Sequence, residues 1–155
     1  MDKLNLQLFA ATGVFPVHNN QFQIATDGRV GATLVPIKDL ETFALSIDAN
    51  TEEWTPMDQE GWVRRAVTGK GLTISFTGKR HYGDPGNDYI GNLLLETGQG
   101  VESVFNWVLP SGATLEMDCV INLTTPAGGD SINIDNLEFE VLSDGKPTFT
   151  PSPAA

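Results

Sequence analysis

Few residues of this chain have the types and spacing that acid–base or nucleophilic chemistry requires. The chain has two histidines, His18 and His81, and a single cysteine, Cys119. His81 follows two basic residues, and the exposure expected there favours a surface role over that of a general base. Cys119 lies in an alternating apolar stretch, 113–121, which is typical of a buried thiol that packs as a small hydrophobic residue. The sequence contains no nucleophile elbow, phosphate-binding loop or zinc-protease helix motif.

Two pairs of carboxylates have the spacing of a possible glycosidase dyad. Glu116 and Asp118, like Glu138 and Glu140, lie two residues apart, and alternate residues of a strand point to the same face. Glycosidases use two carboxyl groups that flank the bond to be cleaved. The solvated face of a sheet accounts for the same pattern without any chemistry. We therefore predict that the chain is not an enzyme and has no catalytic, metal-binding or cofactor-binding residue.

The elements that would position these residues are mostly strands. Apolar and polar residues alternate with period two, which predicts antiparallel strands with one buried and one solvated face. The clearest segments are 43–48, 72–77, 113–121 and 137–141, and residues 101–109 are expected to form another strand, buried on both faces. Asp84 and Pro85 provide a helix start and Gly98 a stop, so one helix is expected over about 85–97. This order predicts a mainly β, α+β fold: two packed antiparallel sheets, a β-sandwich, with one flanking α-helix.

Length and composition suit a single domain. The chain has 155 residues, of which 40% are hydrophobic, enough for one core. We place the domain at 1–145, with an N-terminal arm over 1–30 and a mobile tail over 146–155. One cysteine excludes an intramolecular disulfide. The start of the sequence lacks the features of a signal peptide, and no apolar run is long enough to cross a membrane, so no membrane anchor is expected.

The charge of the chain is negative and unevenly distributed. A net charge of −11 argues against specific binding of nucleic acid, because contacts with phosphates require clustered Lys and Arg. Residues 49–63 contain four acidic side chains and no basic one, whereas residues 64–83 contain five basic side chains and no acidic one. Adjacent segments of opposite charge could pair across a contact between identical subunits.

The charge reversal falls inside a segment with two tryptophans. Residues 49–70 are predicted to form a long inter-strand loop that carries Trp54, Met57 and Trp62. An exposed loop with such side chains is expected either to be covered by another molecule or to fold back onto its own domain. A Gly-Asp-Pro-Gly-Asn turn follows at 83–87. The sequence alone leaves both interpretations of the tryptophans open.

Residues 37–95, and more loosely the chain as far as about 142, resemble the major tail proteins of long-tailed phages, which build the tail tube. The similar features are the long loop, the strand after it, the turn at 83–87 and the short helix. The resemblance implies a structural virion protein whose copies assemble into stacked rings, expected to be hexameric. The rings would form the tube through which DNA is delivered into the host.

The resemblance also implies partners and a location. Further copies of the chain would be its main partner, together with tape-measure, tail-tip or baseplate, and tail-terminator proteins. DNA would pass through the tube without specific binding. The protein would lie in the virion tail, and in the host cytoplasm during assembly. The alternative is a β-sandwich module that binds carbohydrate or protein, with Trp54 and Trp62 as a stacking platform.

Two sets of residues are the candidates for assembly. The set expected at contacts between subunits is aromatic, apolar or basic: Trp54, Pro56, Met57, Trp62, Arg64 and Arg65. The set expected in the tube lumen consists of carboxylates that would repel DNA phosphates: Asp48, Glu116, Asp118, Glu138 and Glu140. Edge strands that pair between subunits would continue the sheets around the ring.

Overall fold

The computed structural model describes residues 12–152, and most of its regular structure is strand. The strands are β1 (Gln21–Ala25), β2 (Leu34–Pro36), β3 (Leu40–Trp54), β4 (Arg64–Lys79), β5 (Glu102–Val108), β6 (Thr114–Thr125), β7 (Asn136–Ser143) and β8 (Thr148–Thr150). One α-helix, α1 (Pro85–Gly91), lies between β4 and β5. Within residues 12–152, no helix is both long and apolar enough to cross a membrane. The predicted mainly β class with a flanking helix is confirmed.

The eight strands belong to one antiparallel sheet. Their order is β2-β1-β5-β6-β7-β4-β3, and β8 pairs with β6 beyond the end of β7. The sequence predicts two packed sheets, whereas the β6–β7 pair joins both layers into a single hydrogen-bonded sheet. Period-two alternation marks a buried face in either arrangement, so it does not distinguish a folded sheet from two separate ones.

The sheet folds over so that its two ends face each other across one core. Phe22 of β1 packs edge-to-face against Phe43 of β3 and Phe76 of β4, with ring centroids 4.9 and 4.8 Å apart. Phe76 also contacts Phe105 of β5 at 5.8 Å and Phe139 of β7 at 5.0 Å. Since β1 pairs with neither β3 nor β4, aromatic packing, rather than hydrogen bonding between strands, brings these ends together.

Helix α1 begins as predicted and ends earlier. Asp84 caps it by accepting a hydrogen bond from the N–H of Asn87 at 3.0 Å, and Pro85 occupies the first position. The helix ends at Gly91 rather than near residue 97, and residues 98–101 form a separate 3₁₀ turn. Leu93 is buried, but the two leucines after it are exposed. The apolar stripe of the helix therefore packs against the core over fewer residues than the sequence pattern predicts.

The predicted terminal segments contribute strands to the sheet. β1 lies in the N-terminal segment predicted over 1–30. β8 lies in the C-terminal tail predicted over 146–155, where Phe149 pairs with Leu115. Of these two predicted segments, residues 1–11 and 153–155 lie outside the described residues.

The interpretation of Cys119 as a buried thiol is confirmed. Its side chain is enclosed in the core, and burial raises the pKa of the thiol to about 12. A thiol with this pKa is protonated at neutral pH and reacts poorly as a nucleophile.

A fully buried asparagine fastens the helix to the sheet. The Nδ2 group of Asn87 donates to the carbonyls of Lys38 at 3.1 Å and Lys79 at 2.9 Å. Its Oδ1 accepts from the backbone N–H of His81 at 2.9 Å and from the guanidinium of Arg80 at 3.0 Å. The amide thus makes all four of the hydrogen bonds available to it. Lys38 lies between β2 and β3, and Lys79 ends β4, so one side chain joins three segments.

Further contacts hold the turn at 83–87 close to the link between β2 and β3. The carboxylate of Asp84 accepts a second bond, from the N–H of Lys38 at 3.2 Å. A β-carbon at Gly86 would clash with the carbonyl of Pro36, so the start of the helix can approach the β2–β3 link only without a side chain there. The buried guanidinium of Arg80 pairs with Asp88 at 2.7 Å. We call this group of contacts the Asn87 cluster.

Replacement of Asn87 by alanine is expected to destabilise the protein by about 3 kcal/mol or more. The substitution leaves the carbonyls of Lys38 and Lys79 and the N–H of His81 buried without partners, and each such group costs about 1–3 kcal/mol. Urea unfolding measures the loss. The matched control is Asn122→Ala, which removes an exposed hydrogen bond to Glu140 and should change stability by no more than about 0.5 kcal/mol. Equal losses in the two variants would contradict this role.

The Arg80–Asp88 pair predicts an acid-dependent part of the stability. The hydrogen bond from Arg80 lowers the pKa of the Asp88 carboxyl below its ordinary value. A carboxyl group whose pKa is lower in the folded state than in the unfolded state stabilises the fold at pH values above its unfolded pKa, about 3.9. This stabilisation is lost as the pH falls through the pKa of the folded state. Asp88→Asn should therefore be less stable than wild type at neutral pH, with a difference that shrinks below about pH 4. Urea midpoints measured from neutral to acid pH would show a constant difference if this is wrong.

Candidate assembly surfaces

The hairpin of β3 and β4 extends beyond the body of the domain. β4 pairs with β7 only over residues 73–79, whereas its pairing with β3 continues to Trp54↔Arg64. Residues 48–71 therefore form a two-stranded projection, which we call the arm. Seven residues of β3, from 48 to 54, correspond to a length of about 23 Å. An isolated two-stranded ribbon is only marginally stable, so an exposed arm of this length suits a contact with another molecule.

The arm occupies the segment predicted as a loop over 49–70. Strand pairing continues to Trp54 and resumes at Arg64, so the connection is only residues 55–63. Pro56 precedes a 3₁₀ turn, and Glu60 and Gly61 both have left-handed backbone angles, with φ of 52° and 87°. Both faces of the arm are solvated, so its side chains do not show the alternation by which a half-buried strand is recognised.

Contacts between the two strands hold the arm. A bulge follows Asn50, whose side chain donates to the hydroxyl of Thr68 at 2.6 Å, and bulges increase the local twist of a hairpin. Nearer the tip, Arg65 pairs with Glu53 at 2.7 Å. This ion pair lies within one chain, so part of the charge reversal seen in the sequence is satisfied inside the hairpin rather than between subunits.

The aromatic and apolar residues of the arm do not join the core. Met57 is 103% exposed, Trp62 76% and Trp54 42%, and none of them belongs to the core of the described residues. Trp54 has the guanidinium of Arg64 stacked 5.5 Å from its ring centroid. In this structure the tryptophans do not fold back onto the domain. The structure brings all six predicted contact residues to the tip, where Pro56 precedes the 3₁₀ turn.

The apolar face of the hairpin continues past the core. Phe43, Leu45 and Ile47 share one face of β3, opposite three apolar residues of β4. Phe43 packs against the core, but Leu45 is 39% exposed and Ile47 is 55% exposed. The same strand face is therefore buried at one end and open to solvent at the other.

The five predicted lumen carboxylates fall into two groups. Glu138 and Glu140 on β7 and Asp48 on β3 point away from the core on one side of the β7-β4-β3 layer. The intervening outward side chains of β4 are small hydroxyls: Thr73, Ser75 and Thr77. We call this surface the acidic face. Within residues 12–152, no three or more His, Cys, Asp or Glu side chains are placed to share a metal ion.

Glu116 and Asp118 lie elsewhere, further along β6 where it pairs with β5 and β8. The guanidinium of Arg29 lies 4.0 Å from Asp118, 2.9 Å from Asp144 and 3.5 Å from Glu102. Asp118 is thus partly neutralised by a basic residue, unlike the carboxylates of the acidic face. The alternation of the sequence identifies outward carboxylates but does not separate these two regions.

A cavity of about 360 Å³ opens at the seam where β1 and β2 face β3. Phe22, Phe43 and Phe76 line its apolar side, and Asn20 and Asp39 are among the polar residues around it. We call it the seam cavity. Neither tryptophan of the arm is among its lining residues, so the residues on which the carbohydrate-binding alternative depends do not form a pocket here.

Sequence reasoning missed two features of the structure. The first is the Asn87 cluster, of which the sequence predicts only the helix cap at Asp84. Asn87 lies in the first turn of the helix, where asparagine is common, so its residue type does not indicate that its side chain is buried among backbone partners. The seam cavity depends on contacts between strands far apart in the chain, such as the Phe22–Phe43 pair, and no local pattern reports such contacts.

Neither a family model nor a curated protein matches this sequence. The fold, by contrast, matches solved structures. A chain from the tail of an empty gene transfer agent particle with C6 symmetry has a TM-score of 0.70 at 16% identity, covering 89% of this chain and 100% of that one. A chain from the anti-feeding prophage tube-terminating cap has a TM-score of 0.60 at 14% identity, covering 97% and 100%.

A third matching chain comes from an extracellular contractile injection system, in its sheath–tube complex in the extended state. Its TM-score is 0.59 at 12% identity, and the match covers 96% of this chain and 99% of that one. At such identities the likeness is one of fold. The predicted resemblance to tail tube proteins is confirmed at that level: the chain has a tail-tube-like fold.

Proposed function

We propose that this protein is a structural subunit of a phage-tail-like tube and has no enzymatic activity. The observation that carries the proposal is the tail-tube-like fold, which matches chains of tail and tube assemblies over nearly the whole of this domain. The exposed arm supports it, because a projecting ribbon with aromatic and apolar residues at its tip is suited to contacts between subunits.

The proposed assembly is a stack of rings, each with six copies. The C6 symmetry of the matching gene transfer agent tail supports this number. Each arm would contact a neighbouring subunit through Trp54, Met57 and Trp62, with Arg64 and Arg65 beside them. Edge strands would pair between copies and continue the sheet around the ring, since a closed ring removes the unpaired edges that otherwise promote aggregation.

The proposed tube conducts DNA, and the acidic face lines its bore. Asp48, Glu138 and Glu140 would present negative charge to the phosphates and prevent adhesion as the DNA moves. Glu116 and Asp118 are weaker candidates for the same role, because Arg29 lies beside Asp118. By resemblance, the partners would be tape-measure, tail-tip or baseplate, and tail-terminator proteins. The protein would lie in the virion tail, after assembly in the host cytoplasm.

The contact role of the arm is tested by Trp54→Ala combined with Met57→Ala. Both side chains are outside the core, so the free energy of unfolding of the variant should lie within about 1 kcal/mol of the wild-type value. The variant should nevertheless fail to assemble. Sedimentation and negative-stain microscopy measure assembly, and urea unfolding measures stability.

The matched control is Trp54→Phe combined with Met57→Leu, which keeps the apolar volume of the tip and should still assemble. If the alanine variant loses its fold, the two residues belong to a core. If it assembles as well as wild type, the arm tip is not a contact between subunits.

A further inference from the structure

The seam cavity has apolar walls and the size of a single large side chain. Phe22, Phe43 and Phe76 form its walls together with Ile37, and Phe22 and Phe43 are only partly buried although they pack against the core. The volume of about 360 Å³ lies near the lower end of the range for pockets that bury a small organic ligand, about 300–1,000 Å³. The cavity therefore suits one aromatic side chain better than an extended segment.

The rim of the cavity carries hydrogen-bond acceptors. Gln21, Asp39 and Glu41 are among the lining residues, and the side chains of Asp39 and Glu41 are both 52% exposed. Asp39 contacts His81, and Glu41 contacts Lys79. Because a carboxylate has about four lone-pair sites, each can accept further hydrogen bonds. The cavity thus fits a side chain that has a large apolar body and an N–H donor.

The tip of the arm presents a side chain of this kind. Trp62 is 76% exposed, and its indole combines a large apolar surface with one N–H group, which usually finds an acceptor when it is buried. Arg64, whose guanidinium stacks on Trp54, follows two residues later. Its positive charge complements the acidic rim. The arm must therefore approach with Arg64, rather than Asp58 and Glu60 of the connection, directed at the rim.

A second cavity is a poorer match for the arm. Its volume is about 140 Å³. Four of its five lining residues are polar or charged: Glu116, Met117, Asp118, Lys146 and Thr148. An indole placed there would take polar groups out of water and gain little apolar contact in return.

The arm cannot reach the seam cavity of its own chain. Phe43, at the cavity, and Trp54, at the tip, are eleven residues apart on β3, which corresponds to about 36 Å of strand. Trp62 is two residues from Arg64, which pairs with Trp54, so its Cα lies within about 8 Å of the end of the hairpin. A tryptophan from the arm can therefore enter this cavity only in another copy.

We propose that Trp62 of one copy inserts into the seam cavity of a neighbouring copy, with its indole N–H bonded to the rim and Arg64 beside Asp39 and Glu41. The proposal rests on the proposed tail function and names the surface that receives the arm. The tip and the cavity are different surfaces of one molecule, so each copy gives its tip to one neighbour and receives a tip from another. Such head-to-tail contacts generate rings or continuing stacks rather than closed dimers.

Photo-crosslinking tests which surface receives the tip. p-Benzoylphenylalanine in place of Trp62 keeps an aromatic side chain at this position and, on irradiation, reacts with C–H groups that it contacts. Equal amounts of unlabelled and isotope-labelled protein are irradiated under the conditions of assembly, and mass spectrometry identifies the cross-linked peptides. The cross-links should join different copies and should end in segments 17–23 or 36–43, which contain most of the cavity lining.

The matched control carries the same photoprobe in place of Ile132, an exposed apolar residue between β6 and β7, and should lose the cross-links to the cavity segments. Cross-links from position 62 to another surface of a neighbouring copy would overturn the proposal but leave the contact role of the arm standing. Cross-links within one copy, or none between copies, would overturn both.

A variant that fills the cavity from its own chain gives a second test. Gln21 is exposed and lies at the rim, so Gln21→Trp should keep the urea midpoint of wild type and lose assembly. Gln21→Ala is the matched control, because it leaves the cavity accessible, and it should assemble as wild type does. Assembly of Gln21→Trp at the wild-type level would overturn the proposal and leave the proposed tail function standing. Failure of wild type itself to assemble would instead count against that function.

Discussion

The fold depends on a single buried amide more than on any other polar group. The side chain of Asn87 hydrogen-bonds to the carbonyl of Lys38, which lies in the link between β2 and β3, the two ends of the sheet. It also bonds to the carbonyl of Lys79 and the N–H of His81 at the end of β4. Aromatic packing brings the sheet ends together, but the hydrophobic burial that drives it is not directional, whereas an amide with four partners fixes one arrangement. The absence of a side chain at Gly86 allows the close approach that these bonds need. The position of β3, and hence of the arm, relative to the rest of the sheet follows from this cluster.

The body of the domain and the arm are stabilised by different interactions. The core is closed by phenylalanines from β1, β3, β4, β5 and β7, and burial ends where β4 leaves β7 at Thr73. Beyond that point the same hairpin is held by its own backbone pairing, a bulge and the Glu53–Arg65 ion pair. Surface ion pairs contribute little stability. The arm is therefore the part of the described chain best able to gain stability from a partner, which is consistent with a subunit that assembles.

The sequence predicts those features that depend on neighbouring residues. The cap at Asp84, the burial of Cys119 and the outward direction of Glu138 and Glu140 all follow from local pattern, and the structure agrees with each. The arm is different, because Thr51–Glu53 has no buried face and its strand character comes from pairing with residues 65–67. The single sheet and the seam cavity likewise depend on pairings between distant strands. The partial neutralisation of Asp118 depends on Arg29, a residue 89 positions away in the chain.

The central claim is that this fold serves as a tube subunit whose acidic face lines the bore. Cryo-electron microscopy of the concentrated protein, with helical reconstruction of any assemblies, tests it most directly. The account predicts hollow tubes of stacked six-membered rings, with Glu138, Glu140 and Asp48 around the channel and the arm of each subunit against a neighbour. A protein that stays monomeric at every concentration, or a tube with a net basic bore and the acidic face outside, would contradict it.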